Sequence, residues 1–287
     1  MTTEVNNVLS VRNSHPRDEN IQFFEDGHKY CIAFEPDIQY TSVTTWNHQH
    51  FEQFDADKVI NKMMRGAAWK EGHKYWGNSP EEIKDLWNTN KNSVSGAGTD
   101  LHFEIECFHN DKRLQFEYMN KELYQFYIGN YEKNLPEKPI EWQYFINFIC
   151  DNQNLKPYRT EWTVYNEDVK IAGSIDMVYE NPDGTLSIYD WKRCKNITRI
   201  NTFNKFATTP LICHLPDSNF WHYALQLNTY KYILETKYDK KIRDLYLVRL
   251  HPDAQEKNYE LIPLPDLSNE LKELFEEKIK NLYSENT

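Results

Sequence analysis

Three side chains set the chemistry open to this chain: Asp176, Asp190 and Lys192, within the stretch IAGSIDMVYENPDGTLSIYDWKRCK at 171–195. The stretch reads as two short strands joined by a turn at Pro182-Asp183-Gly184, with Asp176 on the first strand and Asp190 and Lys192 on the second. Successive strand side chains point to opposite faces, so Asp190 and Lys192 share a face, and Leu186 and Ile188 precede them on it. Two carboxylates and an ammonium at the end of a buried apolar stripe are expensive to desolvate. A fold keeps such a group for a metal, a phosphate or a proton transfer more readily than for stability.

Other polar residues sit where they could join this group. His102 and Glu106 are four apart in GTDLHFEIECF, on one helix face beside Leu101, Ile105 and Phe108. Gly96-Ala97-Gly98 should separate that helix from the one before it, and Gly98, one turn ahead of His102, allows close backbone approach. His222, Gln226 and Tyr230 recur at steps of four in the helix NFWHYALQLNTYKYILETKY. Glu161 lies on the alternating strand PYRTEWTVYNED, where a surface position is the default and a turn toward the site the alternative. Gly173, inside a strand, points to close packing or to approach by another group.

The elements that must position these residues follow from patterning. Residues 21–35 read as a hairpin turning at Asp26-Gly27. Ser42 or Thr41 can cap one short helix and Asp55 or Asp57 another. Ser79-Pro80-Glu81-Glu82 is a capping box with proline at the first helical position. Residues 113–152 read as mostly helical, with Ile140, Trp142, Phe145, Phe148 and Ile149 as core. Strands over 157–193 and 243–263 flank the helix at 219–238, and DLSNELKELFEEKIKNLY closes the chain as an amphipathic helix. The expectation is an α/β fold: a central mixed β-sheet flanked by helices (96–287), with an N-terminal helical and hairpin lobe (1–95) over the cleft. The first twenty residues are polar and are expected to be loose.

Composition narrows the function classes. A formal net charge of -11 argues against a protein that coats nucleic acid non-specifically, so any such contact must be local. Two stretches qualify. One is the run Arg193, Lys195, Arg199 and Lys205. The other holds Lys62, Arg65, Lys70 and Lys74 among Trp69, Tyr75 and Trp76, and could grip a single strand by phosphate contact and stacking. Five cysteines, widely spaced and never C-x-x-C, fit free thiols in a reducing compartment, cytoplasmic or nuclear. The chain lacks an apolar run of roughly 18 residues, so no membrane contact is expected. It also lacks GxxxxGK[ST], so no fused helicase and no nucleotide cofactor is expected. The Asn, Lys and Tyr usage hints at an AT-rich genome, such as a viral one.

In chain order the candidates read G-T-x-x-H-x-x-I-E (Gly98 to Glu106), G-S-I-D (Gly173 to Asp176), D-W-K (Asp190 to Lys192) and Q-L-N-T-Y (Gln226 to Tyr230). This set resembles the PD-(D/E)XK nuclease superfamily, most of all its RecB-like branch, which includes CRISPR-associated and mitochondrial genome-maintenance exonucleases. The resemblance implies a restriction-endonuclease-like core and a divalent-metal-dependent DNA nuclease. It implies an exonuclease acting on single-stranded or free-ended DNA in replication, repair or recombination. It implies that His102, Asp176, Asp190 and the backbone carbonyl of Trp191 ligate Mg²⁺ or Mn²⁺, with Glu106 or Glu161 holding a metal-bound water or a second ion. Lys192 would orient or deprotonate the attacking water, or stabilise the developing charge. Gln226 and Tyr230 would position the site and its nucleic acid. Ile175 stands where the family's proline is usual, and the cysteines that hold an iron–sulfur cluster in some relatives are absent, so no cluster is expected. The competing expectations are a metal-dependent endonuclease, including the cap-snatching RNA type, and an inactive nucleic-acid-binding module of the same fold.

Overall fold

The computed structural model describes residues 7–111 and 139–284. Helix α1 (Val8–Arg12) and a 3-10 turn (Pro16–Asn20) precede a hairpin of β1 (Ile21–Phe24) and β2 (Lys29–Ile32). Its turn runs from Glu25 to His28, longer than the Asp26-Gly27 pair suggests. Gly27 (φ 75°) and His28 (φ 49°) both enter the left-handed region there. A two-residue strand, β3 (Thr41–Ser42), leads into α2 (Val43–His48), and α3 (Ala56–Met64) follows. Ser42 Oγ accepts from Thr45 N–H and Asp55 from Lys58 N–H, so each helix starts at one of its two expected caps.

Helix α4 (Pro80–His109) begins in the Ser79/Glu82 capping box and runs 30 residues without a break. The separation expected at Gly96-Ala97-Gly98 does not occur, and the division expected between residues 95 and 96 falls inside this helix. Each glycine costs a helix about 1 kcal/mol. Anchorage at both ends outweighs that: Ile83 is buried near the start, and Leu101, Ile105 and Phe108 near the end. Of the helical stretch expected at 113–152, residues 113–138 lie outside the described residues. The remainder forms α5 (Ile140–Asp151), where Trp142, Phe145, Phe148 and Ile149 are buried as expected but Ile140, at the first helical position, is 47% exposed.

The sheet is built from β4 (Lys156–Asn166), β5 (Ile171–Glu180), β6 (Leu186–Lys192), β7 (Ile242–Arg249) and β8 (Glu260–Pro263). Helix α6 (Asn219–Lys237) crosses between β6 and β7, as a parallel pair requires, and α7 (Ser268–Ser284) closes the chain. The pairs β4–β5, β5–β6 and β7–β8 are antiparallel, β6–β7 is parallel, and β3 adds a parallel pair to the start of β5. The sheet is therefore mixed, as expected, with one strand drawn from the first fifty residues.

Strand alternation splits the core in two. Val178, Ile188 and Leu247 face α6 and α7, and Tyr30, Val43 and Trp46 of the N-terminal elements join the same cluster. Met177, Tyr179, Tyr189 and Trp191 face the end of α4 and α5. The N-terminus, expected to be loose, is pinned to β4 from residue 9 onward. Leu9 is fully buried, Arg17 pairs with Glu167, and Asp18 accepts from Arg159 and Trp162. One buried leucine contributes about 1.5–3 kcal/mol, and the ion pairs fix its register. All five cysteines are free thiols. No helix among the described residues is long and apolar enough to cross a membrane.

Candidate active site

Strand β5 has three partners. Strand β4 runs along one edge for nearly its whole length, so β3 and β6 must share the other. On that shared edge β3 pairs only with Ile171 and Ala172, and β6 only with Met177 to Glu180. The interval Gly173–Asp176 is where the sheet forks. Beyond Met177↔Tyr189, Asp190, Trp191 and Lys192 continue against β7 alone. The Asp176 side chain fills the fork, its Oδ2 accepting the Trp191 N–H at 3.0 Å.

His102 of α4 closes the fork from the other side, with Nδ1 3.5 Å from Asp176 Oδ2 and Nε2 2.8 Å from the Trp191 carbonyl. A carbonyl oxygen only accepts, so Nε2 carries the proton, and in the neutral ring Nδ1 presents its lone pair toward Asp176. The Trp191 carbonyl, expected as a metal ligand, accepts the Nε2–H of His102, which fixes the orientation of the ring.

Glu161 turns into the same space. The pairs Thr160↔Met177 and Trp162↔Ile175 place it opposite Asp176, and its φ of 43° is left-handed, uncommon for a residue with a side chain. Ser174 Oγ donates to Glu161 Oε2 at 2.9 Å. Among the described residues, His102, Glu161 and Asp176 bring one donor atom each within 4.8 Å of one another. Donors sharing one ion at ~2.1–2.4 Å lie no farther apart than about that.

Asp190 is 2% exposed, and its Oδ2 lies 2.6 Å from Lys192 Nζ, so the two share a face as the alternation requires. Among the described residues, that oxygen has no well-directed hydrogen-bond partner. Burial and then the Asp176 charge push Asp190 up to about 6 against the pull of Lys192. Burial and Asp176 push Glu161 up to about 8 against the Ser174 hydroxyl. Burial raises half-buried Glu106, whose charge reaches Glu161. Burial alone would lower Lys192, but Asp190 and Asp176 together hold its ammonium above the ordinary lysine range. The site thus carries an excess of carboxylate, partly relieved by protonation. An imidazole nitrogen, several carboxylate oxygens and a buried acceptor lacking a directed partner are the donor set that fits a divalent cation.

Helix α6 covers the fork. Gln226 Nε2 lies 3.5 Å from Tyr230 Oη, and buried Tyr230 packs directly over Gly173. A Cβ at Gly173 would meet Tyr230 Cε1 at 2.8 Å, so the glycine serves the approach of that ring. Patterning missed Tyr223, whose ring lies 4.6 Å from Lys192 Nζ. Residues seven apart on a helix are only about 20° apart, so Tyr223 shares the Tyr230 face. His222 points away instead, to Asp217 at 2.9 Å and to the Phe51 ring at 4.0 Å.

Of the expected basic residues, Arg193 is drawn inward, whereas Lys195, Arg199 and Lys205 stay exposed beside an acid or a ring. Arg193 Nε donates to nearly buried Glu141 at 2.6 Å, and Lys205 pairs with Glu52. Lys195 lies 3.5 Å from Asp253, and Arg199 stacks on Phe220. Lys62 and Arg65 are exposed on and just after α3. His50 is buried, with its Nδ1 2.8 Å from Thr209 Oγ1.

A family model for the PD-(D/E)XK nuclease superfamily matches residues 109–287, a span holding Asp176, Asp190, Lys192, Gln226 and Tyr230. No curated protein matches the chain. Among solved structures, the crystal structure of SSO0001 is 18% identical, with 59% of this chain and 70% of that chain covered and a TM-score of 0.25, which carries no argument.

Proposed function

The chain belongs to the PD-(D/E)XK nuclease superfamily, and on that premise we propose a RecB-like exonuclease that degrades single-stranded or free-ended DNA. Membership makes it a divalent-metal-dependent phosphodiester hydrolase with a nucleic acid substrate. The observation that carries the finer reading is the fork itself: three metal donors within 4.8 Å, the Asp190–Lys192 pair beside them, and the Gln226–Tyr230 face of α6 above.

In this reading Asp176, Glu161 and Nδ1 of His102 hold the ion together with Asp190, and Mg²⁺ or Mn²⁺ suits their oxygen-rich set. Such an ion supplies charge neutralisation at the scissile phosphate and a more acidic water. Nε2–H of His102 stays on the Trp191 carbonyl and keeps Nδ1 aimed inward. Lys192, held protonated by two carboxylates, acts as a fixed positive charge for the phosphoryl oxygens rather than as a base. Tyr223 packs against its ammonium, and Tyr230 braces the backbone at Gly173. The segment before residue 96 supplies a clamp at the mouth of the cleft, with Lys62 and Arg65 among its phosphate contacts.

Radiolabelled linear and circular single-stranded DNA, incubated with Mg²⁺ or Mn²⁺, test this reading. An end-dependent enzyme releases mononucleotides or short products from the linear strand and leaves the circle intact. Cleavage of the circle would make it an endonuclease instead.

A further inference from the structure

One exposed aromatic surface lies outside the fork. Phe54 is 72% exposed, Phe203 75% and Trp76 48%. Exposed rings of this size are costly to leave in water unless they have a use. The rings are neighbours: Phe54 lies 5.9 Å from Trp87, Trp87 lies 6.1 Å from Tyr75, and Trp76 lies 5.8 Å from Trp69. The loop carrying Phe203 joins the group through Lys62, whose Nζ is 5.8 Å from the Phe203 ring, and through the Lys205–Glu52 pair. Cations are set among the rings. From Phe54 to Trp87 six basic residues stand against six acids, but five of the bases (Lys58, Lys62, Arg65, Lys70, Lys74) cluster where Glu71 is the single acid, in a chain of net charge -11.

The surface connects to the fork along two elements. Trp87 and His102 are both on α4, and at 1.5 Å per residue their separation along the axis is about 22 Å. On the other side, Phe51 packs on His222, the residue next to Tyr223, which lies against Lys192. A stacked strand advances ~3.4 Å per nucleotide, so about six nucleotides would span that interval.

We infer that Phe54, Trp76, Trp87 and Phe203, with Lys62 and Lys74 among them, form a stacking platform that holds single-stranded nucleic acid several nucleotides from the bond being cut. The inference rests on the nuclease reading for its direction, since the platform feeds the fork. Rings that present faces, interleaved with cations, suit unpaired bases joined by phosphates. Duplex bases are stacked on one another and cannot offer their faces.

Binding of fluorescent oligo-dT of about twenty nucleotides, followed by anisotropy in EDTA, tests the platform apart from catalysis. Phe203→Ala and Trp76→Ala should each weaken binding on the order of tenfold and leave binding of a duplex of equal length unchanged. Phe203→Leu should lose as much as Phe203→Ala, because leucine keeps the apolar surface and removes the stacking face. Hydrolysis of a small chromogenic phosphodiester with Mn²⁺ should be unaffected in all three variants. Wild-type affinity in the alanine variants, or in Phe203→Leu, would overturn the platform; the leucine result would mark a generally apolar, protein-docking surface. Failure of the wild-type protein to hydrolyse anything would instead sink the nuclease reading, and the anisotropy would still decide the platform.

Discussion

Replacing Gly173 by alanine should weaken the fold and slow turnover through one side chain, Tyr230. The added Cβ would lie 2.8 Å from Tyr230 Cε1, 3.0 Å from its Oη and 3.0 Å from Val43 Cγ2. Carbon atoms settle at ~3.5–4.0 Å, so the ring must withdraw by about 0.7 Å or more. It has little room, because Tyr230 is 3% exposed and its helix is packed on the sheet through Ala224, Leu225 and Ile233. Overpacking of this kind costs about 1–3 kcal/mol, a fall in Tm of roughly 2–10 °C. A shift approaching 1 Å at a site residue costs roughly 10- to 100-fold in turnover. Thermal unfolding and single-strand cleavage should be measured for Gly173→Ala alone and in a Tyr230→Leu background. Leucine lacks the outer ring atoms, so the added methyl should cost less there, with only the 3.0 Å contact to Val43 Cγ2 left, and the coupling between the two sites should be about 1–2 kcal/mol. A Gly173→Ala protein with wild-type Tm and turnover, or one whose loss is equal in both backgrounds, refutes the packing argument.

Other outcomes follow from the same geometry. Glu161 has its folded pKa raised to about 8, so its contribution to stability is complete below the unfolded value near 4.5 and is lost as pH rises through about 8. The metal-free protein should therefore lose Tm between pH 5 and 8, and Mn²⁺ should restore more at pH 8 than at pH 6; equal gains at both would contradict the carboxylate crowding. Asp18→Ala leaves nearly buried Arg159 without its carboxylate and should cost about 3–5 kcal/mol in denaturant unfolding, with Asp18→Asn losing less. Arg193→Ala strands buried Glu141, so it should lower Tm as well as any DNA affinity; a change in affinity with unaltered Tm would return Arg193 to the surface path.

Much of this architecture was legible in local pattern. The Asp190–Lys192 face follows from strand alternation, and the caps at Ser42, Asp55 and Ser79 from side-chain chemistry. What stayed hidden depends on contacts distant in sequence. Glu161 turns inward only because its backbone is left-handed opposite Asp176. The joining of β3 to β5, and the Asn13–Tyr158 hydrogen bond and Asp18–Arg159 ion pair that pin residues 13–18 to β4, are likewise long-range. Helix α4 defeated a glycine rule because anchors at both ends override local propensity. Tyr223 was readable in principle, since its seven-residue spacing to Tyr230 fits a helix face better than the four-residue steps through His222. In the basic run after Lys192 the sequence did not reveal that Arg193 pairs with nearly buried Glu141, while Lys195, Arg199 and Lys205 stay exposed.

Whether the fork is a metal-dependent nuclease site is decided most directly by one assay. End-labelled single-stranded DNA is incubated with wild-type protein or Lys192→Ala in Mn²⁺, Mg²⁺ or EDTA, with oligonucleotide binding followed in parallel. The expected result is cleavage by wild type with either metal, none in EDTA, and none by Lys192→Ala although it still binds the strand. Cleavage that persists in EDTA, or that Lys192→Ala performs at the wild-type rate, would contradict it.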